Sequence, residues 1–265
     1  MNPSEVLRRL DAARRAAALA GTYLADALWD DHEVASKGRY DLHLTADTEA
    51  GARIADLLSR EFSGEFLLEE DGDPDPGTAE WLWIVDPLDG TVNYHHRLPW
   101  FCVSVACYHR TKGSDHPLWR HGRPVASVVL APMFGQEFRA WEGGGAWCGS
   151  RRLRASPEGL DRGILSCSRG SRPEDQHWVR SFLDAVGPSA RKTRNHGAAA
   201  LDLAYVAQGS LAAHVQRSLQ CWDVAAGAQL VLEAGGRFEA VAGPGGLHVL
   251  AAGPGAFAAL EPQVV

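Results

Sequence analysis

The stretch Trp81-Leu82-Trp83-Ile84-Val85-Asp86-Pro87-Leu88-Asp89-Gly90-Thr91 restricts the fold most, because an apolar run of strand length stops abruptly in two carboxylates, a proline and an Asp-Gly-Thr turn. Trp, Leu, Ile and Val along one strand demand cover on both of its faces. The aspartates then sit where that cover ends. Carboxylates converging at a sheet edge cost free energy unless something cationic neutralises them, and a metal is the simplest such partner.

The rest of the chain can supply the cover. Of its 265 residues 45% are hydrophobic, enough for one large domain or two tightly packed halves and too many for a disordered chain. A formal charge of −7 argues against broad phosphate-backbone contact, so nucleic acid is not an expected partner. Cys102, Cys107, Cys148, Cys167 and Cys221 are odd in number, scattered and without CxxC spacing, which reads as buried thiols in a reducing cytoplasm. No apolar run approaches the roughly 18 residues of a membrane span. Arg8, Arg9, Arg14 and Arg15 interrupt the N-terminal stretch where a signal peptide would be apolar, so a cytoplasmic protein without a membrane partner is expected.

Taken in order, Leu7, Leu10, Ala13, Ala17, Ala20 and Leu24 recur at helical spacing and predict an outer amphipathic helix from Ser4 to about Trp29. A polar connection leads through Leu42-His43-Leu44 to a second helix with Ile54, Leu57, Leu58 and Phe62 on its apolar face and Thr45 or Asp47 as cap. Phe66-Leu67-Leu68 is a second apolar strand that ends in acid, Glu69-Glu70-Asp71, before a Pro- and Gly-rich loop. Strands over 101–108 and 125–130 follow, then a hairpin over 136–147 turning at Gly143-Gly144-Gly145, which lacks the strand-to-helix context of a phosphate loop. Beyond residue 150 strand and helix signals alternate. A strand at 163–167 precedes a helix to about Val186 opened by the capping box Ser171-Arg172-Pro173-Glu174. A helix over 198–208, an extended run over 211–215, a helix from Trp222-Asp223 to Glu233 stopped by Gly235-Gly236, and strands over 237–241 and 248–251 complete the reading. Without a linker or repeat, residues 1–265 form one unit, with an N-terminal metal-binding half (about 1–150) and a C-terminal α/β half (about 151–265).

Each acid singly has an ordinary explanation. Asp89-Gly90 is a common turn, Asp47 and Asp223 suit helix starts, and a Glu-Glu-Asp run is usually a solvated loop. Jointly, acids at the ends of apolar strands and the starts of helices could share one crevice, an oxygen-rich ligand set for a hard cation such as magnesium.

These residues carry a family resemblance. Asp86-Pro87-Leu88-Asp89-Gly90-Thr91-Val92-Asn93-Tyr94, the upstream Glu69-Glu70, and Cys221-Trp222-Asp223-Val224-Ala225-Ala226-Gly227 with Glu233-Ala234-Gly235-Gly236 resemble the signatures of the inositol monophosphatase family of magnesium-dependent, lithium-sensitive phosphatases. The resemblance implies an α+β fold, the layered α-β-α-β-α sandwich of the inositol monophosphatase and fructose-1,6-bisphosphatase type, and a homodimer. It implies that Glu69, Asp86, Asp89, Asp223 and the Leu88 carbonyl bind up to three magnesium ions, and that Glu70 holds a metal-bound water. Thr91 and Asp47 match the pair that orients the attacking water, and the amides of Gly90 and Thr91 would hold the phosphate. Asp89, Gly90, Thr91, Gly197, Ala198, Ala199, Gln216 and Asp223 fall on positions that face substrate. The implied reaction is hydrolysis of a small phosphomonoester, inositol 1-phosphate or a related sugar or polyol phosphate, by in-line attack of a metal-activated water.

Departures from the pattern bear on substrate. Leu68 stands where a small residue usually precedes the Glu pair, and Ala198 replaces a serine or threonine. Gln216 takes the place of a glutamate that accepts from an inositol hydroxyl, and Ala212 that of an aspartate. His214 and Arg217 flank Gln216 and either favour a second anionic group or are side chains without a role. A fructose-1,6-bisphosphatase, a bisphosphate nucleotidase or a histidinol-phosphate phosphatase therefore stays open, as does a non-catalytic regulatory protein on the same scaffold. A zinc site at His95-His96 is not expected, Arg191 to Arg194 reads as a solvated face, and Trp81, Trp83 and Trp222 read as core.

Overall fold

The computed structural model describes residues 2–30, 34–37, 42–62, 65–68, 80–110, 118, 122–168, 170 and 172–264. In chain order the elements are α1 (Pro3–Ala27), β1 (Val34–Lys37), β2 (Leu42–Leu44), α2 (Thr45–Glu61), β3 (Glu65–Leu68), β4 (Trp81–Asp89), α3 (Thr91–His95), β5 (Cys102–His109), β6 (Arg123–Ala131), β7 (Gln136–Trp141), β8 (Gly145–Cys148) and β9 (Arg151–Arg152). They continue with β10 (Ile164–Cys167), α4 (Pro173–Val186), β11 (Lys192–Arg194), α5 (Ala199–Gln208), β12 (Ala213–Leu219), α6 (Cys221–Glu233), β13 (Arg237–Gly243), β14 (Gly246–Ala252) and α7 (Pro254–Val264).

Strands β3 to β9 form a seven-stranded sheet in sequence order, and a five-stranded sheet runs β11-β10-β12-β14-β13. Three apolar clusters define the layers. One joins α1 and α2 to the outer face of the large sheet, the second fills the space between the sheets around α5 and α6, and the third packs α4 and α7 on the far face of the small sheet. This is the expected α-β-α-β-α sandwich.

β4 shows why its sequence has so little polarity. Leu82 and Ile84 belong to the central cluster, Trp83 and Val85 to the α1/α2 cluster, so the side chains alternate between two buried layers. Polar tips tie the layers together. Tyr94 Oη donates to Leu24 O at 3.0 Å, Tyr108 Oη to Ala225 O at 3.0 Å, and buried Ser127 Oγ to Gln229 Oε1 at 2.5 Å.

Several local expectations change. Asp47 sits three residues past the N-cap Leu44 and accepts its N–H at 2.8 Å, and Asp223 does the same for Gln220 N at 2.7 Å. Both acids thus serve helix starts from inside the first turn. Helix α4 starts at Pro173 with Arg172 as its N-cap and no cap bond from the Arg172 side chain, and Pro173 suits that first position. Ser171 lies outside the described residues. Trp83 is core as expected, whereas Trp81 and Trp222 are half-buried at its margin. None of the five cysteines is in a disulfide; Cys148 and Cys221 are only partly buried. The Gly143–Gly145 turn holds the Glu233 carboxylate, which accepts both amides at 2.8 and 2.9 Å. Helix α7 was not legible in Pro254–Val264, which has only a weak apolar stripe.

Candidate active site

The site begins with a register break. Asp86 pairs with Ser104 of β5 and Asp89 with Cys102, so β4 carries one residue more than its partner between the two acids. Pro87 has no N–H to give the ladder there. Without the bulge, strand alternation would put Asp86 and Asp89 on opposite faces. With it, Leu88 packs into the α1/α2 cluster and both acids face the central layer. Gly90 then turns the chain into α3 at φ 96°, with Trp100 O and the Ala198 and Phe101 carbons so close that a Cβ would lie 3.0 to 3.2 Å from them.

Asp89 is nearly buried and is gripped by the start of another helix. Its Oδ1 accepts Ala199 N at 3.1 Å, and its Oδ2 accepts Ala200 N at 2.8 Å and Leu201 N at 3.4 Å. Cys102 Sγ donates to Oδ2 at 3.4 Å. Ala198, the N-cap of α5, has no side chain that could do this, so Asp89 caps α5 from across the fold. Asp86 Oδ1 accepts Leu88 N at 3.0 Å, and Thr91 Oγ1 donates to Leu88 O at 3.0 Å.

Electrostatics shows that the acids share one region. Burial pushes the Asp86 carboxyl well above the usual carboxylate range, and the charges of Asp89, Asp223 and Asp47 push it further. Burial also raises Asp89, to about 6, against the pull of the α5 amides and Cys102. Carboxylates that oppose one another's ionisation fit a hard divalent cation. Among the described residues no three His, Cys, Asp or Glu side chains close a metal cage by themselves. Glu69 and Glu70, expected to complete it, lie outside the described residues.

Of the expected substrate positions, the start of α5 meets this centre. Gly197, at φ 78°, Ala198 and Ala199 form the entry to α5, and Asn93 Nδ2 bolts that entry to the β4 turn by donating to Trp100 O at 2.7 Å and His196 O at 2.8 Å. Gln216 is half-buried on β12. Its neighbours turn to other partners. His214 is fully buried against Asp202, and Arg217 faces α4 with its guanidinium 4.1 Å from the Trp178 ring centre. The rings of His95 and His96 pack edge-on, 5.2 Å apart. Sequence reading missed the α5 amides, Cys102, His196 and Asp202; an uncapped helix start at Ala198 was the one available signal.

Comparison with known proteins agrees with this architecture. The chain is 36% identical over 237 residues to a Nus factor SuhB of Pseudomonas aeruginosa, covering 86% of this chain and 83% of the relative. It is 35% identical over 214 residues to an inositol-1-monophosphatase of Caulobacter vibrioides, with 79% of each covered. The crystal structure of the extragenic suppressor protein suhB from Bartonella henselae superposes with a TM-score of 0.85 at 30% identity, over 97% of this chain and 98% of that one. The model of the inositol monophosphatase family matches residues 6–262, and with these relatives it shows that the chain belongs to that family.

Proposed function

We propose that the protein hydrolyses a small phosphomonoester with magnesium, inositol 1-phosphate or a related sugar or polyol phosphate being the first candidates. Family membership supports a phosphatase in general, and the Caulobacter relative's name supports the inositol substrate. The observation that carries the reading is the bulge that turns Asp86 and Asp89 to one buried face, where Asp223 and Asp47 add to the negative charge. Asp86, Asp89, Asp223, Leu88 O and Glu69 are the residues that would hold the metal. A bound divalent cation supplies charge that lowers the pKa of a water and stabilises the leaving oxygen.

The chain's own groups orient the reaction. Asp47 and Thr91 position the attacking water with Glu70, Thr91 being held toward the turn by its bond to Leu88 O. The Gly90 and Thr91 amides bind phosphate oxygens. Gln216, Gly197, Ala198 and Ala199 frame the alcohol half of the substrate. A homodimer, lithium sensitivity and a cytoplasmic location follow from the same resemblance; no helix among the described residues is long and apolar enough to cross a membrane.

A panel of inositol, fructose, nucleotide and histidinol phosphates assayed with magnesium tests the reading, and equal inactivity on all of them would refute it. The name of the Pseudomonas relative, Nus factor SuhB, supports a second reading as a regulatory protein that retains the fold. In that case an Asp89→Asn chain would keep the cellular role of the wild type.

A further inference from the structure

Asp89 carries two duties in the proposed site. It caps α5 through three amides, and it is a proposed metal ligand. A carboxylate turned toward a cation holds those amides less well, so a second anchor for the first turn of α5 would keep the ligand in place. The structure contains one. Asp202, fully buried in that turn, accepts His196 Nδ1 at 2.7 Å on Oδ1. Its Oδ2 accepts Ser166 Oγ of β10 at 2.5 Å and lies 3.3 Å from His214 Nδ1 of β12.

His196 also reaches back to the β4 turn. Its carbonyl accepts Asn93 Nδ2 of α3 at 2.8 Å, and its ring stacks on Trp100, 4.3 Å between centres at 23°. Trp100 leads through Phe101 into Cys102, which donates to Asp89, and its carbonyl backs Gly90. One half-exposed loop residue therefore closes a ring of contacts running from Asp89 through α5, Asp202, His196, Asn93 and Trp100 back to Asp89. Ser166 and His214 fix Asp202 to the small sheet, so the ring is held to both sheets. A buried carboxylate with three such donors is already committed, which leaves Asp202 no part as acid or base.

We infer that His196 is a positioning residue that fixes the first turn of α5 and thereby Asp89, so that its loss weakens divalent-cation binding more than it weakens the fold. The inference rests on the metal reading above. Removing the partner that orients a metal ligand typically costs about 10- to 100-fold in affinity.

The test is titration calorimetry of metal-free full-length protein with MgCl2, without substrate, beside thermal melts in chelator. His196→Ala should weaken magnesium binding about tenfold while keeping a cooperative melt. His196→Asn, whose amide can still donate to Asp202, should recover most of the affinity. Equal magnesium affinity in His196→Ala and wild type would overturn the role of His196 alone. Loss of a cooperative melt in His196→Ala would make the residue part of the core and overturn it as well, and a folded His196→Asn that binds magnesium no more tightly than a folded His196→Ala would overturn the bond to Asp202 as the anchor. A wild-type chain that binds no magnesium would overturn the metal reading along with it.

Discussion

Two strands break register in the same way. On β4 the step from Asp86 to Asp89 is matched by Ser104 to Cys102, and on β12 the step from Gln216 to Leu219 is matched by Val249 to Leu247. Each bulge flips the following residue to the other face. On β4 this brings Asp89 round beside Asp86. On β12 it sends Arg217 and Ser218 toward α4, where Ser218 Oγ donates to buried Asp175 at 2.6 Å, and returns Leu219 to the central core. The first bulge is written in its residues, Pro87 and Gly90. The second has a non-glycine at φ 60°, Ser218, and is held by tertiary bonds. The proposed metal-binding end is locally encoded, and the proposed substrate-selecting end is set by its surroundings.

The largest expected break is Asp89→Asn. It should lower kcat/KM by roughly 10³-fold, about 4 kcal/mol, because a lost metal ligand forfeits several kcal/mol of charge stabilisation. Melts in chelator should show little loss of folding, since the removed charge no longer opposes Asp86 while one side-chain oxygen still accepts from α5. Wild-type turnover would remove Asp89 from the metal site.

Next comes pH. The folded Asp89 carboxyl, at about 6, lies above its ordinary 3.8, so ionisation opposes folding. Chelated protein should gain up to roughly 3 kcal/mol as pH falls through about 6 toward 4. Asp202 has the opposite sign. Burial alone would raise it, but the bonds from His196, His214 and Ser166 hold it at about 2, so its contribution is present above about 3.8 and is lost below it. Melting temperature in chelator should thus pass through a maximum on acidification, and magnesium at pH 8 should flatten the limb near pH 6. A monotonic fall from pH 8 would contradict the Asp89 assignment.

Gly90→Ala should cost about 2 kcal/mol by chemical denaturation, from left-handed strain and the close Trp100 carbonyl. Gln216→Glu should raise the kcat/KM ratio for inositol 1-phosphate over glycerol phosphate about tenfold, by restoring an acceptor for a ring hydroxyl. An unchanged ratio would place the selector elsewhere. Ser218→Gly should stay within about 1 kcal/mol of wild type, relief of strain offsetting the lost bond to Asp175. A larger loss than in Gly90→Ala would reverse the contrast between the two bulges.

How far the sequence could be read follows the same division. β4, the hairpin at Gly143–Gly145, α5 and α6 were legible because period, glycine and proline act within a few residues. The start of α4 was legible from Pro173, and α7 was missed because its apolar faces are sealed by the small sheet rather than by a strong stripe of its own. His214 and Arg217, flanking Gln216, read either as anion ligands or as side chains without a role. The structure commits His214 to Asp202, and the bulge sets Arg217 over Trp178.

By itself the sequence determined that a doubly covered strand ends in paired acids with a turn that only glycine fits, since steric and solvation rules act there over a handful of residues. It also carried, through two separated signatures, the family. Only the tertiary structure decided that a one-residue bulge puts Asp86 and Asp89 on one face, that Asp89 caps a helix more than 100 residues away, and that Asp202 commits both histidines. Those outcomes depend on which buried donors and acceptors meet across the two sheets, and a buried polar group takes whatever partner the packing brings within reach.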